Sequence, residues 1–109
     1  MKNEIKEISV QTAKEKAMAG VMFVDVREED ELREISYAVS NLINIPLSQL
    51  KERFSGLPKD QELILVCRRG RRSLIASEFL LSQGFSNISN MRGGILEWID
   101  AGFPVNSEN

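Results

Sequence analysis

Three short apolar runs constrain the fold of this chain more than any other feature. They are Val21–Val26 (VMFVDV), Leu42–Ile45 (LINI) and Leu63–Cys67 (LILVC), and the stretches between them carry apolar residues at helical spacing. A short, nearly continuous apolar run suits a strand covered on both faces, which is the environment of a parallel sheet. Such strands alternating with amphipathic helices predict an α/β fold with helices on the sheet's faces. Ile5–Val10 and Asn87–Met91 are weaker and shorter strand candidates.

The helical stretches carry end signals. Thr12 followed by Glu15 is a capping-box pattern, and Gly20 can close that helix. Glu28–Ile35 reads as an acidic turn or short helix with Leu32 and Ile35 on one face. Leu47, Leu50 and Phe54 share a stripe that ends at Gly56 and Pro58. Arg72–Gln83 shows a wide apolar face through Leu74, Ile75, Phe79 and Leu80 and stops at Gly84. Ile95, Trp98 and Ile99 mark a last helix, closed by Gly102 and Pro104. No repeat or linker interrupts the 109 residues, so one domain is expected, with its core from about residue 5 to residue 105 and a frayed polar tail, NSEN.

Composition narrows the chemistry. Fourteen basic against sixteen acidic residues give a net charge of -2, and no nucleic-acid partner is expected. The single cysteine rules out an intrachain disulfide framework, and the absence of histidine removes a zinc site or a Cys-His catalytic pair. No metal and no cofactor is expected. The opening MKNEIKEISV is charged and lacks a secretory apolar stretch, and no segment nears the roughly 20 apolar residues that span a bilayer. With a lone thiol suited to a reducing compartment, a cytoplasmic location without membrane association is expected.

One segment breaks the local rules. Residues 67–73 read CRRGRRS, directly after the strand LILV and directly before a helix. Ligands of open α/β sheets sit beyond the carboxyl ends of strands. A helix N-terminus favours acidic neighbours, yet this one gathers Arg68, Arg69, Arg71 and Arg72. An anion held by the loop would resolve the conflict. Cys67 lies within that field, where thiolate, the reactive form, is favoured. Gly70 would let the loop curl so that successive N–H groups point inward around an anion. A free cysteine closing an apolar strand is ordinarily inert core. The strand, arginine-rich loop and helix around this one favour a reactive thiol.

At this point the chain resembles a single-domain rhodanese, of the rhodanese-like sulfurtransferase family. CRRGRR matches the family's six-residue active-site loop, Cys-x-x-Gly-x-Arg. DVRE (Asp25–Glu28) is similar to its first buried strand and following turn, NIPL (Asn44–Leu47) to the end of its third strand, and MRGGILEWIDAGFPV (Met91–Val105) to its Gly-Gly–Trp–Gly-x-Pro ending. The matches run in order from about residue 8 to residue 105. Where the family usually has Gly-His-Ile-x-Gly-Ala, this chain has YAVSNLI (Tyr37–Ile43), so a different loop is expected there.

The resemblance implies a central, mostly parallel five-stranded sheet flanked by helices on both faces. It also implies a sulfurtransferase in which Cys67 takes a sulfane sulfur from thiosulfate or another persulfide donor and passes it to a thiophilic acceptor. Thiolate attack on an S–S bond that expels a stable anion needs no protein general acid. The amides of residues 68–73, Ser73 included, would stabilise the anion, and the four arginines would gather an anionic donor. Arg72 is expected to fold inward, with Arg68 and Arg69 facing solvent.

Asp25, at the end of an apolar strand, is expected to pair with Arg27 or with loop amides in structural support. Arg92 is expected in a surface ion pair, Gly93 and Gly94 in a tight turn, and Trp98 in the core. The acidic run Glu28–Glu31 compensates its helix dipole. Two rival classes stand beside the transferase. One is a docking module, or a sulfur relay, that engages an anionic protein partner through the basic loop. The other is a cysteine phosphatase, whose loop places five residues between cysteine and arginine. It is disfavoured because that position here is Ser73, and the arginine falls one earlier, at Arg72.

Overall fold

The computed structural model describes residues 5–107. The elements, in order, are β1 (Glu7–Ile8), α1 (Val10–Met18), β2 (Met22–Asp25), α2 (Glu29–Glu34), β3 (Ile35–Tyr37) and β4 (Leu42–Asn44). A short helix α3 (Leu50–Arg53) follows, flanked by single turns of 3-10 helix at Leu47–Gln49 and Phe54–Gly56. Then come β5 (Leu63–Val66), α4 (Arg71–Ser82), β6 (Ile88–Met91), α5 (Gly94–Asp100) and β7 (Val105–Ser107).

The main sheet has five strands in the order β1-β6-β5-β2-β4, and every pairing in it is parallel. β5 lies at its centre with all four residues fully buried. Side chains alternate across a strand, so one strand feeds two cores. Leu63 and Leu65 join Val24, Ala76, Leu80 and Phe85 on one face, while Ile64 and Val66 join Phe23, Met91, Ile95 and Trp98 on the other. This explains why β5 reads as an unbroken apolar run. Each such side chain contributes roughly 1.5–3 kcal/mol by leaving water. On the sheet side of α4, the buried residues Ser73, Ala76, Ser77 and Leu80 recur at helical spacing. Trp98 is core, as expected, with its ring edge-on to Phe23, Tyr37 and Phe103 and its Nε1 donating to the Pro104 carbonyl at 2.8 Å.

Several local expectations are corrected. The strand expected over Ile5–Val10 narrows to Glu7–Ile8, because Ser9 caps α1 and Val10 already belongs to the helix. The cap is the Ser9 hydroxyl accepting from Thr12 N at 3.1 Å, not a Thr12–Glu15 box. The reciprocal pattern occurs at α2 instead, where Glu31 Oε1 accepts from Glu28 N at 3.0 Å. Ile35 leaves that helix for β3, which pairs antiparallel with β7 in the register Ile35↔Ser107 and Tyr37↔Val105. Asn106 and Ser107 are thus strand rather than frayed tail; Glu108 and Asn109 lie outside the described residues. Ile75 is 54 % exposed, so the apolar face read for α4 is narrower than expected. Among the described residues, no helix is long and apolar enough to cross a membrane.

Candidate active site

The site forms where β5 delivers the chain to α4. Cys67 is the first residue past the strand and is 1 % exposed. Gly70 precedes α4 with φ +96°, a left-handed conformation that a side chain would strain, and a Cβ there would stand 3.1 Å from Gly93 N. The turn before α5 forms the wall against which the loop rests. A Cβ on Gly94 would collide with the Arg68 carbonyl, so no other residue fits.

The loop's carbonyls are taken from outside. Cys67 O accepts from Ile95 N at 2.9 Å and from Tyr37 Oη at 2.7 Å, and Arg68 O accepts from Leu96 N at 3.3 Å. With the carbonyls held outward, N–H groups turn in. Gly70 N and Ser73 N donate to Cys67 Sγ at 3.1 and 3.3 Å. The Ser73 hydroxyl lies 3.2 Å from the same sulfur and is hydrogen-bonded to Asn90 Oδ1. Such a cradle suits a sulfur that carries or develops negative charge.

A cavity of about 290 Å³ opens over the loop, lined by Cys67, Arg68, Arg69, Arg71 and Arg72. Arg68, Arg69 and Arg71 are exposed, and none of the three is in an ion pair among the described residues. Next to it, a groove of about 440 Å³ shares Arg69 and Arg71 and adds Glu7, Ile75 and Arg92. The surface ion pair expected for Arg92 is not formed among the described residues.

Arg72 behaves differently from the other three. Its guanidinium does not turn in toward the sulfur but closes on α2, Nη1 to Glu31 Oε1 at 2.7 Å and Nη2 to Glu31 Oε2 at 2.8 Å. The Arg72 hydrogen bonds pull the Glu31 carboxyl down from 4.5 to about 2, against the opposing effect of its partial burial. The same pairing raises Arg72. A bidentate pair of this kind fixes the arginine's plane as well as its position. The pair therefore ties the loop's closing residue to α2.

Beneath the loop, Asp25 and Arg27 form the ion pair expected of them, with Arg27 Nη2 3.0 Å from Asp25 Oδ2 and both side chains at most 1 % exposed. Arg27 N and Nε add bonds to Asp25 Oδ1 at 3.1 and 3.2 Å, which gives the buried carboxylate the partners it requires. Asn44 Nδ2 bridges the carbonyls of Asp25 and Arg27 at 2.8 and 2.9 Å. The Arg27 guanidinium sits 5.6 Å from the Tyr37 ring centre, and Tyr37 in turn holds the Cys67 carbonyl. Burial pushes the Tyr37 hydroxyl well above its ordinary value, so it remains a proton donor. The pair supports the loop through one intermediary and does not reach the sulfur.

The structure thus places Cys67, Arg68, Arg69, Arg71 and Arg72 around one cavity, with the Gly70 and Ser73 amides on the Cys67 sulfur and the Asp25–Arg27 pair supporting the loop through Tyr37. Sequence reasoning misses Glu31, Tyr37 and Asn90. Glu31 reads only as part of an acidic run that serves its own helix dipole, and its position three residues past Glu28 is the available signal. Nothing local marks Tyr37 or Asn90, whose contacts cross the chain.

Comparison with known proteins agrees with this geometry. The family model for the rhodanese-like domain matches residues 9–101. The chain is 35% identical over 105 residues to the putative sulfurtransferase YtwF of Bacillus subtilis, covering 94% of this chain and 99% of that one. It is 32% identical over 117 residues to thiosulfate sulfurtransferase 18 of Arabidopsis thaliana, covering 96% and 86%. Its fold is similar to a rhodanese-related protein from Thermoplasma volcanium, with a TM-score of 0.83, 40% identity and coverage of 93% and 97%. Fold, loop and relatives converge: the chain belongs to the rhodanese-like domain family.

Proposed function

We propose that the protein is a sulfurtransferase that carries a sulfane sulfur on Cys67 as a persulfide, with thiosulfate or a similar anion as donor. One observation carries the reading: Cys67 Sγ accepts two backbone N–H groups beside a cavity lined by four arginines, of which Arg68, Arg69 and Arg71 are in no ion pair among the described residues. The Cys67 thiol loses its proton to solvent, and the thiolate attacks the outer sulfur of thiosulfate. A new S–S bond forms, the old one breaks, and sulfite leaves with the bonding electron pair. Sulfur, charge and electrons balance, and no metal or redox cofactor enters. A thiophilic acceptor then attacks the outer sulfur and releases Cys67 as thiolate.

The arginines act before the chemistry. Three guanidiniums at the cavity that are in no ion pair among the described residues raise the local concentration of a dianion, while Arg72, neutralised by Glu31, keeps the loop closed. The name of the Arabidopsis relative supports thiosulfate as donor. A sulfur relay with an anionic protein partner is the second reading, favoured by the groove where Arg92 and the exposed Ile75 extend the basic surface past the cavity.

The test is an intact mass of reduced protein before and after thiosulfate. A gain of one sulfur atom, absent in Cys67→Ser and reversed by excess thiol, supports the transferase. Sulfur gain from a persulfidated protein but not from thiosulfate supports the relay, and gain from neither overturns both.

A further inference from the structure

The transfer step uses the two backbone N–H groups on Cys67 and leaves a third neighbour of the sulfur without a role. The Ser73 hydroxyl is 3.2 Å from Sγ, and it has one proton for two neighbours that could accept it. One is the sulfur. The other is Oδ1 of Asn90, a fully buried residue of β6.

Asn90 decides the competition because its own amide is committed. Nδ2 donates one proton to Glu7 Oε2 at 2.9 Å and the other to the Gly70 carbonyl at 3.2 Å. Reversing the amide would place its oxygen against two acceptors, so the chemistry of its neighbours sets its orientation. Oδ1 can only accept. The Ser73 hydroxyl therefore gives its proton to Asn90 and presents a lone pair to Cys67.

We infer that Asn90, anchored by Glu7 and the Gly70 carbonyl, is a positioning residue that withholds the Ser73 proton from Cys67 and so favours an uncharged Sγ over a bare thiolate. In the thiol, S–H donates to Ser73 Oγ and every partner in the chain is satisfied. In the thiolate, Ser73 must either hold a lone pair against negative sulfur or turn its proton inward and strand the buried Asn90 oxygen. On the proposed sulfurtransferase reading, on which this last point rests, the persulfide escapes the conflict. Its inner sulfur is neutral and its charge sits on the outer atom. Asn90 thus withholds one donor from the idle sulfur and leaves the two backbone N–H groups in place.

Cys67 is the only cysteine, so the ultraviolet thiolate absorbance removed by alkylation measures its ionised fraction directly. At neutral pH, Asn90→Leu, which keeps the branched side-chain shape and removes the acceptor, raises that fraction roughly fivefold, the worth of one hydrogen bond. Adding Ser73→Ala to Asn90→Leu abolishes the gain. Glu7→Ala, an exposed substitution that frees the amide to turn, raises the fraction less and in the same direction. It supplies the answer if Asn90→Leu does not fold, as read from the near-ultraviolet signal of Trp98.

Iodoacetamide alkylates empty Asn90→Leu faster than empty wild type and alkylates the sulfur-loaded forms of both at equal rates. An unchanged thiolate fraction in the folded variants overturns the inference. So does a gain that survives Ser73→Ala, or alkylation that quickens equally in empty and loaded protein, since either reports a loosened loop. If no donor loads sulfur yet the thiolate fraction moves as stated, the positioning role of Asn90 stands and the transferase reading falls.

Discussion

Glu31 and Arg72 show how one residue pair sets the state of the site. Because Glu31 titrates near 2 when folded and near 4.5 otherwise, its stabilisation is complete above pH 4.5 and is lost as pH falls toward 2. Glu31→Gln should therefore lower the thermal midpoint by a few degrees at neutral pH, corresponding to less than about 1 kcal/mol for a pair partly open to water. The difference from wild type should close between pH 4.5 and pH 2 in a thermal melt followed across that range. A gap that stays constant to pH 2 would mean that the pair contributes nothing beyond packing. The buried pair beneath the loop is a different case. Arg27→Met leaves the Asp25 carboxylate buried without its partner and should cost about 3–5 kcal/mol in urea unfolding. Adding Asp25→Asn should recover part of the loss, because the stranded charge is gone.

At the scale of elements, the turn before α5 matters more to the loop than its small size suggests. Gly94→Ala would drive a methyl into the Arg68 carbonyl at a backbone φ of +62°, so the loop and the turn cannot both keep their places. Sulfur uptake by this variant should fall at least tenfold while its far-ultraviolet helix signal persists; unchanged uptake would show that the loop does not depend on this wall. This scale also shows what the sequence makes legible. β2 and β5 are readable because burial on both faces leaves a continuous apolar run, and the loop is readable because arginines at a helix N-terminus contradict the dipole. β3 and β7 are three residues each, too short for alternation to stand out, and each is strand only because the other is there. Ser9 is hard to pick out as the α1 cap because Thr12 with Glu15 offers the same pattern three residues on. Glu31, Tyr37 and Asn90 reach the loop from 41, 30 and 17 or 20 residues away, distances at which no local pattern carries a signal.

The whole molecule carries a net charge of -2, yet the face around Cys67 is basic. A dianionic donor is repelled weakly by the molecule and attracted strongly by one cavity, which steers its approach. The second-order rate of sulfur uptake from thiosulfate should therefore fall several-fold as salt shortens the screening length from roughly 30 Å at 0.01 M to roughly 8 Å at 0.15 M. Uptake from a neutral donor should change little over the same range, as stopped-flow alkylation of the residual thiol would show. Steering matters only if a sulfur atom rides on Cys67. An intact mass of the reduced protein after thiosulfate, beside Cys67→Ser, tests it most directly. The wild type should gain one sulfur, the variant none, and excess thiol should return the wild type to its starting mass. An unchanged wild-type mass with thiosulfate and with every persulfide donor, or an equal gain in Cys67→Ser, would contradict it.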